Sequence, residues 1–204
     1  MAINLQKGQR ISLEKSNGSK LQNICVGINW GAIEKKGLFG LSKSKEAVDL
    51  DGSCALFNEQ KQLLEVVYFG NLQSKDFAVK HSGDDLTGDM GGDDGLDNEV
   101  ITVDLGRLDP SVTTVAFFLN SFQGHDFAIV PFASIRIYEG TPGRVNEVFA
   151  KYDIASGAGF AGHVSMVMGV FYKKNGEWKF NAIGEPTKDK KLQETVNTVA
   201  QNYL

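Results

Sequence analysis

Cysteine is scarce. The 204 residues contain two, Cys25 and Cys54, both inside apolar runs and in neither a C-x-x-C nor a zinc-ligand spacing. Their setting argues for reduced core thiols rather than a disulfide, as in a cytoplasmic protein. The opening residues, MAINLQKGQR, lack the apolar stretch of a secretory leader, and no run is long enough to span a bilayer. A membrane protein is therefore not expected. Basic excess is lacking too: 21 Lys and Arg stand against 25 Asp and Glu, for a net charge of -4. A general nucleic-acid binder would carry a basic face, so no nucleic-acid partner is expected. The chain has no HExxH, no G-x-S-x-G elbow, no P-loop and no dinucleotide fingerprint, and it is expected not to be an enzyme. A hydrolase built on two carboxylates stays open, but the sequence shows no sign of the cleft it would need.

What is present is alternation. Ile24, Val26, Ile28 and Trp30 alternate with smaller or polar residues, which predicts a half-buried strand. Further strands are expected at 54–57, 63–69, 99–105, 115–119, 132–138, 148–154, 164–172 and 178–183, with an Asn175-Gly176 hairpin turn joining the last two. Leu63 to Phe69 is apolar enough to suit a central strand. Residues 31–47 form a Gly/Ser/Lys-rich stretch expected to be a long loop, with an apolar tip at Leu38-Phe39-Gly40-Leu41. That tip is either a flap on the body or a docking point for a partner or membrane surface. Only the tail has helical spacing: Leu192, Val196, Val199 and Tyr203, behind a start at Pro186-Thr187, predict a helix over about 188–203. About nine or ten strands and one terminal helix make a mostly β fold, an antiparallel β-sandwich of two sheets with a C-terminal α-helix. Length and 42% hydrophobic content fit one domain over 1–204.

One stretch does not fit a plain sandwich. Between Lys80 and Arg107 there is no Lys or Arg, yet Asp84, Asp85, Asp89, Asp93, Asp94, Asp97 and Glu99 crowd together with five glycines. Two carboxylates at ~4 Å and an effective dielectric near ~20 repel by roughly 4 kcal/mol. Either water screens the loop or a cation holds it. Ca²⁺ takes oxygen ligands in a flexible shell, whereas Mg²⁺ demands a tighter octahedron and transition metals recruit His or Cys. Only His81 lies near, so zinc does not suit. Upstream, Asp49 and Asp51 point to one side of an extended chain while Val48 and Leu50 face the core. The EF-hand spacing fails at both Gly52 and Gly95, and the nonapeptide β-helix repeat occurs once where stacked copies are required. A calcium site of another type and a merely acidic loop both remain open from composition.

The residues themselves resemble a family. His-Ser-Gly-Asp-Asp-Leu-Thr-Gly at 81–88 resembles the HSGDNLTG hallmark of the TerD family of tellurium-resistance and stress-response proteins. Asp93-Asp94-Gly95-Leu96-Asp97-Asn98-Glu99, Val26 to Trp30, Asp49-Leu50-Asp51, Asn120-Ser121-Phe122 and Glu177 to Phe180 extend the likeness in order, and the Lys/Gly loop looks like the TerZ-type branch. The resemblance implies a two-sheet sandwich binding Ca²⁺, as two ions, between Asp49 and Asp51 on one side and Asp84, Asp85, Asp89, Asp93, Asp94, Asp97 and Glu99 on the other. Backbone carbonyls near Leu86 would help. Partners would be other Ter-type stress proteins and a membrane-bound partner, with no catalytic role. An alternative role is an interaction module in which calcium is only structural. Asp85 and Asn98 depart from the family's usual residues, and the loop is longer around Met90-Gly91-Gly92.

Overall fold

The computed structural model describes residues 2–15, 17–36, 43–154 and 158–204, so the Leu38 to Leu41 tip lies outside the described residues. In chain order the first strands are β1 (Ile3–Asn4), β2 (Arg10–Ser12), β3 (Asn23–Trp30), β4 (Ile33–Lys36), β5 (Lys43–Glu46), β6 (Leu50–Phe57) and β7 (Leu63–Val67). They continue as β8 (Val79–His81), β9 (Glu99–Asp104), β10 (Thr114–Ser121), β11 (Ala133–Thr141), β12 (Arg144–Ile154), β13 (Ser165–Lys174) and β14 (Glu177–Thr187), and α1 (Leu192–Asn202) closes the chain.

One six-stranded sheet runs β1-β12-β11-β3-β9-β8, the other runs β2-β14-β13-β10-β6-β7, and β4-β5 form a separate ribbon. Pairing is antiparallel except between β1 and β12. The sandwich expected from the alternating runs is the observed fold. Its core lies between the sheets, where Ile24, Val26, Ile28 and Trp30 from β3 meet Leu50, Cys54 and Leu56 from β6 and Val115, Phe117 and Leu119 from β10. Alternate residues of the same strands, Ala55, Phe57, Ala116 and Phe118, pack instead beneath Val196 and Val199 of α1. Burial on both faces explains why β10 reads as an unbroken apolar run. Each fully buried aliphatic or aromatic side chain contributes about 1.5–3 kcal/mol of transfer free energy. Cys25 and Cys54 are buried and unpaired.

Several expectations about elements change. The described ends of the 31–47 stretch pair as β4 and β5, with Ile33 opposite Glu46 and Lys36 opposite Lys43. Leu63 to Phe69 is an edge: β7 pairs only with β6, and Leu63 and Leu64 are exposed. Apolar composition alone could not distinguish an edge strand with solvent-facing leucines from a central one. The helix begins at Leu192, because Pro186 and Thr187 are held in the β14 ladder opposite Met166 and Ser165. The short β1, β2 and β8 strands, with β4 and β5, raise the count to fourteen among the described residues.

Candidate metal centre

Asp49 and Asp51 flank Leu50 where the chain enters β6. Leu50 goes into the inter-sheet core, which turns both carboxylates to the opposite side. Both are buried, at 5% and 6% exposure. Asp84 reaches them from the 82–98 loop between β8 and β9, and one carboxylate oxygen from each of the three lies within 4.8 Å of the others. No Lys or Arg is ion-paired with them among the described residues. Burial, reinforced by the charges of Asp49, Glu99 and Asp84, pushes Asp51 up to about 7. Burial and the neighbouring Asp84 and Asp85 likewise raise Asp49, with His125 opposing. Asp49 Oδ1 is buried without a hydrogen-bond partner. An unpaired buried acceptor in a like-charged cluster is an unmet electrostatic demand.

Beneath the cluster lies a bracket between the sheets. Glu99, fully buried at the start of β9, accepts 2.7 Å and 3.3 Å hydrogen bonds from the backbone N–H groups of Gly52 and Asp85. His81 Nε2 stands 2.9 Å from the Gly52 carbonyl and 3.4 Å from Glu99 Oε2, while its Nδ1 accepts from Gly83 N–H at 3.1 Å. Both ring nitrogens are thus engaged within the protein, which leaves His81 no lone pair for a metal. Burial raises Glu99, against the opposing pull of His81 and the two N–H donors.

The rest of the loop is organised around Trp30 and Asn98. Trp30 donates from its indole to the Val48 carbonyl at 2.8 Å and from its backbone to Asn98 Oδ1 at 2.7 Å, and it accepts from Asp89 N–H at 3.0 Å. Gly88 (φ +65°) presses on the indole, where a Cβ would come 2.6 Å from Cδ1. The Asn98 amide donates to Asp85 Oδ2 at 3.4 Å and Asp89 Oδ1 at 3.2 Å. Asp85 Oδ1 also accepts from Thr87 N–H and hydroxyl and from Gly88 N–H, and these bonds outweigh burial and hold its carboxyl below the usual range. Asp93 accepts from Asn29 and Gly95 N–H, and Asp94 from Leu96 N–H, both at the exposed end of the loop. Asp97 lies 2.7 Å from Arg136 Nε, packed so tightly over Gly27 that a Cβ there would overlap its carboxylate. Leu86 is exposed.

Of the ten positions singled out in the sequence, three come together as a cation-sized cluster, Asp49, Asp51 and Asp84. Asp85, Asp89, Asp94 and Asp97 line an adjoining recess of about 440 Å³ that Asn98 spans. Glu99 supports the cluster from below, Asp93 sits at the exposed end of the loop, and Leu86 lines a second recess with Asp84 and Asp85. Sequence reading missed Asn98, which looked like a lost charge, as well as Arg136 and the positioning role of His81. Arg136 is distant in sequence and carried no local signal.

The TerD domain model matches residues 1–198. The chain belongs to the TerD family. Tellurium resistance protein TerZ of Serratia marcescens is 34% identical over 94% of either chain. Stress response protein SCP2 of Bacillus subtilis (strain 168) is 33% identical, covering 97% of this chain and 98% of its own. A solved Streptomyces coelicolor A3(2) homologue of the telluride resistance protein TerD superposes with a TM-score of 0.60 at 19% identity, covering 89% of this chain and 96% of its own, a likeness of fold. In this TerD-family chain no helix among the described residues is long and apolar enough to cross a membrane.

Proposed function

We propose that this chain is a non-catalytic Ca²⁺-binding protein of a tellurite-resistance or general stress response, acting as one TerD-like unit in the cytoplasm. The observation that carries the reading is the convergence of Asp49, Asp51 and Asp84 within 4.8 Å, two of them buried and without a counter-charge. Three carboxylates supply up to six oxygens, and loop carbonyls near Leu86 with water complete the six to eight that Ca²⁺ takes. An all-oxygen donor set, with both His81 nitrogens engaged, suits a hard cation and disfavours zinc. A second ion would use Asp85, Asp89, Asp94 and Asp97 in the adjoining recess, with Asp93 and Glu99 shaping the loop. The stress role is carried over from the names of the relatives, and TerZ, TerX and TerD of Serratia marcescens suggest partners of the same family.

The test is thermal unfolding in chelator against millimolar Ca²⁺, with calorimetric titration for stoichiometry. A ligand of the folded state alone stabilises by about 2.7 kcal/mol at ~100 times its dissociation constant. Identical melts would sink the calcium reading. An equal shift with Mg²⁺ would sink its selectivity, and one ion per chain would remove the second site.

A further inference from the structure

On the α1 side of the second sheet, a recess of about 290 Å³ opens between the start of β6, the end of β10 and the first turn of α1. It is distinct from the cation cluster, although Asp51 borders both. Its deepest groups are Ser53, fully buried, and Asn120, 8% exposed. Neither Ser53 Oγ nor Asn120 Oδ1 has a hydrogen-bond partner. The Asn120 Nδ2 donates to Ser165 Oγ at 2.6 Å and Thr195 Oγ1 at 3.0 Å. Two buried polar atoms left unmet beside a cavity are costly unless something fills it.

The opposite end of the recess carries two lysines. At the start of α1 Lys191 makes no side-chain cap: the Glu194 and Thr195 N–H groups bond to the Lys191 carbonyl, and the Leu192 and Gln193 N–H groups head the helix. The Glu194 carboxylate accepts from Lys190 N–H at 2.8 Å, with the Lys190 and Lys191 side chains flanking the turn. Neither lysine is ion-paired among the described residues. Tyr68, Phe69 and Phe122 form an apolar wall, with Phe69 and Phe122 edge to face at 5.9 Å. The cavity therefore offers hydrogen-bond acceptors at one end, from Asp51, Ser53 and Asn120, and positive potential at the other.

We propose that this recess binds a small organic molecule with an anionic group at one end and a hydrogen-bond donor, hydroxyl or ammonium, at the other. The anion takes the α1 N-terminus and the two lysines, and the donor takes Asn120 Oδ1, Ser53 Oγ and the Asp51 carboxylate. The volume is that of a small metabolite, at the lower end for ligand pockets. The site needs no bound cation.

The test is an NMR titration of the full chain, stripped over a chelating resin, with L-serine, glycerol 3-phosphate, acetate, inorganic phosphate and ethanolamine as probes. L-serine or glycerol 3-phosphate is expected to saturate shifts at residues 190–193 and the Asn120 amide, and which of them does so distinguishes a carboxylate from a phosphate ligand. Acetate, phosphate and ethanolamine, each carrying half of the recognition, are expected to bind at least tenfold more weakly. The Lys190→Glu/Lys191→Glu double variant, altered only at exposed positions, should keep its melting temperature and lose at least tenfold in affinity, and Ser53→Ala should lose affinity as well. No saturable shift with either bifunctional probe, equal binding of acetate or phosphate, binding only after Ca²⁺ is restored, or undiminished binding in both variants would each overturn the proposal.

Discussion

The two halves of the acidic loop solve the same problem in opposite ways. From Asp85 onward, carboxylates are met by the protein: Asp97 by Arg136, Asp85 and Asp89 by the Asn98 amide, Asp93 by Asn29. Before it, Asp84 joins Asp49 and Asp51 with no cationic side chain and with Asp49 Oδ1 unbonded. Charge density along the sequence is similar in both halves, so density alone does not mark a site. What marks it is charge that the fold gathers and leaves uncompensated.

The comparison breaks most sharply at Trp30, which fixes both halves at once. Trp30→Ala should cost about 3–5 kcal/mol by denaturant unfolding, as for other buried aromatics, and should loosen the whole loop in hydrogen exchange. Arg136→Met strikes the compensated half. It leaves Asp97 buried without a counter-charge and should cost about 3 kcal/mol, with Ca²⁺ affinity at Asp49 and Asp51 changed less than threefold in titration. Asp51→Asn strikes the uncompensated half and should have the opposite sign. In chelator at pH 8 it should stabilise the protein by on the order of 1 kcal/mol, since one unit of raised pKa corresponds to about 1.4 kcal/mol, while abolishing the Ca²⁺-dependent melt shift. Asp94→Asn at the exposed end should do neither.

The same charge can be read in pH. Asp51 titrates near 7 when folded, against about 3.9 for an unfolded aspartate. The metal-free protein binds the extra proton, so this stability is present below about pH 4 and is lost as pH rises through about 7. After burial, the charges of Asp49, Glu99 and Asp84 hold Asp51 up, and that of His81 pulls it down. Ca²⁺ should flatten or invert that profile, because it favours the ionised form, and chemical denaturation across pH 5–8 with and without the ion checks it.

Much of the fold was legible because alternation reports burial directly: β3, β10 and the α1 spacing all landed where their apolar residues said. The edge position of β7 and the pairing of β1 and β2 were not, because which strand lies beside which is decided by partners far along the chain. At the site, Asp49 and Asp51 were readable as a same-side pair, and their meeting with Asp84 followed from the family motif. The division of labour within the loop was hidden. Asn98 and Arg136 act by geometry, and only the folded arrangement reveals that one amide spans two carboxylates and one guanidinium neutralises a third.

Gly52 has a mechanical consequence. Its peptide lies on β6 of one sheet where β7 gives it no ladder partner, and it is gripped by Glu99 and His81 from the other sheet, at 2.7 Å on the N–H and 2.9 Å on the carbonyl. A sandwich held only by apolar contact can slip along its mid-plane at little cost, because greasy surfaces have no detents. Here a single residue acts as a rivet through both plates, and sliding them would have to break directional bonds in a dry place. The Asp49 and Asp51 carboxylates ride next to that rivet, so whatever occupies them is seated at the point of the molecule least able to shear.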